Sequence, residues 1–230
     1  MLIDNLNKIR SYTRMHRELM KSHHFLYNCP LGKVSDKAEA IVIGMNPGET
    51  KDDWKYNKNL PCEESHEFDF HDELDKQGDN RSQSSINWES TCNEYLGTDE
   101  IFLSEFFFCS SSQVGEDKKK GETFKDRFGN TFKNSQHHLH FCKEQNLDLI
   151  KYHQPKIIVG TGTTHADFLG QIYNLNHIKT IEDKYGSKRR RVIIHFELMN
   201  IPFLFTPHWT AGRVSNSEKS KIKEYIKNIT

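Results

Sequence analysis

Two polar residues stand directly behind apolar runs, where a sheet would present them to a ligand. Asn46 lies in Gly44-Met45-Asn46-Pro47-Gly48, immediately after Ile41-Val42-Ile43. His208 lies in Thr206-Pro207-His208-Trp209-Thr210-Ala211-Gly212-Arg213, immediately after Pro202-Phe203-Leu204-Phe205. An Asn amide oxygen can orient a water, and a His N–H can donate to developing negative charge. A third apolar run, Ile101 to Cys109, carries the polar pair Ser104 and Glu105. Asn46 and His208, each in a Pro- and Gly-bearing loop at the mouth of a separate buried strand, mark a candidate site. In open α/β sheets, ligands bind beyond the carboxyl ends of the strands.

The elements that position these residues follow from periodicity. Leu2, Ile3, Leu6, Ile9, Tyr12, Met15 and Leu19 recur at helical spacing and predict a helix over 2–21. Strands are expected at 40–44, 101–109, 156–160, 191–196 and 202–206. The second is nearly all apolar, as in a parallel sheet covered on both faces. Helices are expected at 85–96, 135–153, after the Thr161-Gly162-Thr163-Thr164 turn to about 173, and at 217–229. Alternating strands and helices predict an α/β domain, a three-layer α/β/α sandwich around a mainly parallel sheet. The chain of 230 residues fits a single domain. Its segment at about 49–100 reads as an insertion, acidic between Glu63 and Asp79, because so long a connection is unusual in a compact domain.

Lys plus Arg and Asp plus Glu number 32 each, so no net field draws the chain to nucleic acid or an anionic membrane. Local patches such as Lys188-Arg189-Arg190-Arg191 must supply any phosphate contacts. The five cysteines include no C-x-x-C pair, which favours reduced thiols. His137-His138-Leu139-His140 with Cys142 invites a metal reading, but helical spacing puts only His137 and His140 on one face. No metal site is expected. No run approaches the roughly 18 apolar residues of a membrane span, and a cytoplasmic monomer is the expectation.

Gly44-Met45-Asn46-Pro47-Gly48 resembles the first active-site motif of the uracil-DNA glycosylase superfamily, closest to its single-strand-selective and mismatch-specific branches. Thr206-Pro207-His208-Trp209-Thr210 looks like the second motif, with Trp209 for the usual Pro and Thr210 for the usual Ser. Pro155-Lys156-Ile157-Ile158-Val159-Gly160-Thr161-Gly162 stands where that family has a proline, a strand and a glycine turn. The resemblance implies a DNA glycosylase that flips a base from single- or double-stranded DNA. Asn46 then orients the attacking water, and His208 bonds the C2 carbonyl oxygen of the departing pyrimidine. Met45, Trp54, Tyr56, Ser104 and Glu105 hold the base, Trp54 or Tyr56 by stacking. Pro47, Gly48, Gly162, Thr210 and Arg213 approach the DNA.

Where the family commonly reads uracil with an Asn, this chain has Ser104-Glu105. An ionised Glu offers acceptors only, which suits a base bearing an amino group or extra hydroxyls, such as a modified cytosine, better than uracil. Packing alone accounts equally well for Trp54 and Tyr56, a solvated strand end for Glu105, and a tight strand-to-helix turn for Gly162. A nucleoside or nucleotide N-glycosidase, and a non-catalytic nucleic-acid binder of this fold, are the alternative functions.

Overall fold

The computed structural model describes Lys8, Ser11 and residues 37–45, 83–108, 136–185, 187–209 and 214–230. Of the helix expected at 2–21, only Lys8 and Ser11 are described, and both are helical. The elements in chain order are β1 (Ala40–Gly44), α1 (Gln83–Leu96), β2 (Ile101–Glu105), α2 (Gln136–His153), β3 (Ile157–Thr161), α3 (Ala166–Tyr173, after a 3-10 turn at Thr163–His165), β4 (Asn176–Tyr185), β5 (Lys188–Leu198), β6 (Ile201–Thr206) and α4 (Asn216–Ile229). The chain divides into two compact units. The first comprises Met1–Leu31, Met45–Lys76 and Ser104–Tyr152, and the second Gly32–Gly44, Gln77–Leu103 and His153–Thr230.

The six strands form one mixed sheet in the order β2-β1-β3-β6-β5-β4. The expected parallel portion is there: β1 pairs with β3, and β3 with β6, both parallel. An antiparallel portion follows, in which β6 pairs with β5 and β5 with β4. This is an α/β fold with a mixed sheet.

Two strands differ from the sequence expectation. β2 ends at Glu105, and Phe106, Phe107 and Phe108 are fully buried beyond it. An apolar run predicts burial, and the ladder stops earlier. β4 was not expected at all. Its register against β5 shifts between His177 and Lys179 and again between Ile181 and Glu182. Bulges of this kind insert unpaired residues and erase the two-residue period on which strand recognition depends.

Within the second unit, Ala40 and Val42 of β1, Ile157 and Val159 of β3, Val192 of β5 and Leu204 of β6 share one apolar cluster. Residues two apart point to one face of a sheet. Cys92 and Tyr95 of α1 and Ile222 and Ile226 of α4 belong to the same cluster, so these helices cover that face. α3 covers the opposite face: its Tyr173 ring meets Phe203 edge-on at 6.3 Å, and a Cβ on Gly170 would come within 3.0 Å of Phe196. That closeness is why a glycine sits there.

The ends of α4 and β5 are fixed by polar contacts. Ser215 caps α4 by accepting from the Glu218 N–H, and the Glu218 carboxylate accepts from the Ser215 N–H, a reciprocal capping box. The same carboxylate takes a two-pronged hydrogen bond from the Arg190 guanidinium. Arg191 pairs with Asp167 at 2.6 Å and donates to the Thr163 carbonyl at 3.1 Å, pinning the turn before α3 to β5. No helix among the described residues is long and apolar enough to cross a membrane.

Candidate functional site

β1, β3 and β6 lie side by side and run the same way, so their carboxyl ends share one edge of the sheet. Ile43 pairs with Gly160, and Gly160 with Phe205, which puts these three residues in one row. Asn46 follows Ile43 by three residues, and His208 follows Phe205 by three. Both loops therefore leave the same edge at the same level, on strands separated only by β3. That row is a property of pairing that sequence spacing alone does not contain.

Asn46, Pro47, Gly48, Trp54, Tyr56, Thr210 and Arg213 lie outside the described residues. The remaining candidates fall into two groups, described separately because they belong to different units.

In the first unit, Met45 is half-buried, and its carbonyl accepts from the Phe107 N–H at 3.1 Å. Met45, the residue after β1, is thereby tied to the chain just beyond Glu105. Ser104 is buried and donates its hydroxyl to Asn146 Oδ1 at 2.6 Å. Asn146, fully buried on α2, donates its Nδ2 to the Glu105 carbonyl at 2.9 Å. Ser104 is thus occupied in holding the strand end. Glu105 is only half-buried as a residue, yet its Oε2 is enclosed and has no hydrogen-bond partner. Burial pushes this carboxyl up to about 8, so at neutral pH it is mainly protonated. The expectation of an ionised, solvated Glu is corrected here: a neutral acid carries one O–H donor as well as an acceptor.

In the second unit, His208 is exposed, and its ring stacks on Trp88 of α1 at 4.3 Å and 26°. Desolvation holds the imidazole below its ordinary range, which keeps it neutral at pH 7. Trp209, only 1 % exposed, stacks on Tyr95 at 4.5 Å and anchors the loop beneath His208. Trp209 therefore has a packing role. Gly162 has φ 108°, a conformation open to glycine, and its N–H donates to the Thr206 carbonyl at 2.7 Å. That amide is committed to the strand-to-helix turn. A polar cleft of about 550 Å³ lies beside Trp209, lined by Tyr95, Lys219, Ser220 and Lys223 among others, and His208 is not part of its wall.

Trp88 and Asn146 were not singled out as site residues by sequence. The signal was present, since Trp88, Cys92 and Tyr95 are spaced by four and three along α1, as one helical face requires. Asn146 stands on the apolar face of α2 with Leu139, Cys142, Leu149 and Ile150. A polar residue at such a position marks a buried hydrogen bond. Arg190 and Arg191, read from sequence as phosphate contacts, are instead engaged with Glu218 and Asp167. Cys92 and Cys142 are buried thiols. Among the described residues, no three His, Cys, Asp or Glu side chains gather as a metal site requires.

No family model matches this chain, and no curated protein is significantly similar to it.

Proposed function

We propose that the chain is a monofunctional DNA N-glycosylase with a uracil-DNA glycosylase-like three-layer fold. It hydrolyses the bond between deoxyribose and a flipped, damaged or modified base, leaving an abasic site, in base-excision repair or defence against phage DNA. The carrying observation is the row Ile43–Gly160–Phe205, from which both motif loops leave one sheet edge at the same level. In this reading Asn46 orients the attacking water through its amide oxygen. His208, neutral at pH 7, donates its N–H to the pyrimidine oxygen on which charge develops as the bond breaks. Donors of this kind are worth roughly 3–4 kcal/mol each in a dry site. The departing base leaves as an anion and takes up a proton from solvent. The mechanism calls on no metal or cofactor, and the protein works as a cytoplasmic monomer on DNA.

Asn46→Ala and His208→Ala test the mechanism. Each is expected to cut base release from DNA by roughly 100-fold or more, with melting temperature and DNA binding nearly unchanged. Mass spectrometry of bases released from genomic and phage DNAs, with free nucleosides in parallel, identifies the substrate. Full activity in both variants would sink the mechanism, and release from nucleosides alone would replace DNA with a smaller substrate.

A further inference from the structure

The cleft beside Trp209 is the feature of the second unit that the proposed chemistry leaves unused. Its volume of about 550 Å³ is that of a small-ligand site. Glu94 and Tyr95 of α1 and Lys219, Ser220 and Lys223 of α4 line it together with Trp209. Two of these groups are buried and unsatisfied. Tyr95 is 4 % exposed and Trp209 1 %, and neither the Tyr95 hydroxyl nor the Trp209 Nε1 has a hydrogen-bond partner among the described residues. Buried polar groups are nearly always bonded. The cleft that both side chains line is where a partner can enter.

The wall selects the chemistry of that partner. Lys223 pairs with Glu94, whereas Lys219 meets no carboxylate among the described residues. Thr91 and Asn216, which complete the wall, are uncharged, so two ammonium groups stand against one carboxylate. The indole N–H can only donate. Burial, with Glu94 beside it, pushes the Tyr95 phenol up to about 12, so its hydroxyl keeps the proton. An excess of donors and of positive charge fits an oxyanion. Stacking is closed to it: Trp209 lies against the Tyr95 ring at 4.5 Å and the Lys223 ammonium over it at 4.8 Å, and two such neighbours cannot share a face.

We propose that the cleft between α1 and α4 binds a small phosphorylated ligand that has no aromatic ring, a sugar phosphate in chemical class, with its phosphate held by Lys219, the Tyr95 hydroxyl and the Trp209 indole. The volume exceeds that of a phosphate group, and Thr91, Asn216 and Ser220 offer partners for sugar hydroxyls. A nucleic-acid backbone fits less well, because it is held by several cations in a row and this wall has an excess of one. His208 does not line the cleft, and the inference does not rest on the glycosylase reading.

The full chain is titrated by calorimetry with ribose 5-phosphate, ribose, AMP and an oligonucleotide lacking terminal phosphates, and its tryptophan indole N–H resonances are followed by NMR. Ribose 5-phosphate should bind saturably and move the Trp209 resonance, identified as the one that survives in both Trp54→Phe and Trp88→Phe. Ribose should not bind, and AMP should bind no tighter than ribose 5-phosphate. Lys219→Ala and Tyr95→Phe should each weaken binding roughly 10- to 100-fold, the range of a hydrogen bond to a charged group. Without ligand, Tyr95→Phe should melt no lower than wild type, because its hydroxyl has no bond to lose. No saturation by ribose 5-phosphate, an unmoved Trp209 resonance, or unchanged binding in both variants would overturn the proposal. A lower melting temperature for Tyr95→Phe would overturn it too, by showing that the hydroxyl is bonded within the fold. Much tighter binding of AMP, or oligonucleotide binding that Lys219→Ala abolishes and ribose 5-phosphate does not displace, would replace the sugar phosphate with a nucleotide or a nucleic-acid backbone.

Discussion

The Arg190–Glu218 pair offers the most quantitative test of the packing. Glu218 is 1 % exposed and accepts from Arg190 Nε at 2.6 Å and Nη2, and from the Ser215 N–H at 2.8 Å. The Arg190 side chain is 25 % exposed. Breaking a buried pair from one side costs about 3–5 kcal/mol, because the remaining charge is left uncompensated. The two sides are unequal. Glu218→Ala strands a guanidinium that water can still reach, which points to the low end, about 3 kcal/mol; it also removes half of a capping box, adding about 1 kcal/mol. Arg190→Ala strands a carboxylate sealed from water, so about 4–5 kcal/mol is expected at pH 7.

The pH dependence separates the two variants further. The Arg190 hydrogen bonds hold the Glu218 carboxyl below its usual value of 4.5. A depressed folded value contributes stability that is present above 4.5 and lost as pH falls through the folded pKa. In Arg190→Ala the stranded carboxyl can take up a proton, so its deficit should shrink between pH 7 and pH 5. The Glu218→Ala deficit should not. Urea unfolding followed by circular dichroism at pH 5, 6 and 7 measures both. Losses under about 1 kcal/mol in both variants would mean the pair behaves as a surface ion pair, and the reasoning from burial would be wrong.

Other outcomes follow from the same geometry. If base release requires neutral His208, its rate should hold as pH falls through 6.5 and decline only below, because desolvation lowers this pKa; Trp88→Ala, which removes the stacked ring, should move the decline upward. A pH profile unchanged by Trp88→Ala would separate the stack from the titration. The β5–β6 turn places Met199 and Asn200 at φ 54° and 63° between the paired residues Leu198 and Ile201. Two-residue hairpin turns of this hand favour Asn-Gly, so Met199→Asn with Asn200→Gly should raise stability by about 1 kcal/mol in urea unfolding. An unchanged or lower midpoint would show that the exposed Met199 side chain contributes more than the strain costs.

Much of the scaffold was legible in the residues. The strands at 40–44, 157–161 and 201–206 and the helices at 83–96, 136–153 and 216–229 lie within a few residues of where apolar period placed them. A regular apolar pattern is local information, and a single buried polar residue such as Asn146 of α2 does not erase it. β4 escaped because two bulges break its period, and the end of β2 escaped because burial and ladder pairing are different properties read from the same apolar residues.

The site divides along the same line. The sequence by itself determined that an Asn and a His follow two apolar strands, and that a Glu stands on a third. Only the tertiary structure decided that the first two strands flank β3 in one register, that Trp88 stacks on His208, and that Arg190 and Arg191 are committed to carboxylates. It also reversed the chemistry of Glu105. Spacing fixes which residues can reach a place, but protonation and availability depend on what surrounds them, and for Glu105 those surroundings are assembled from segments distant in the chain.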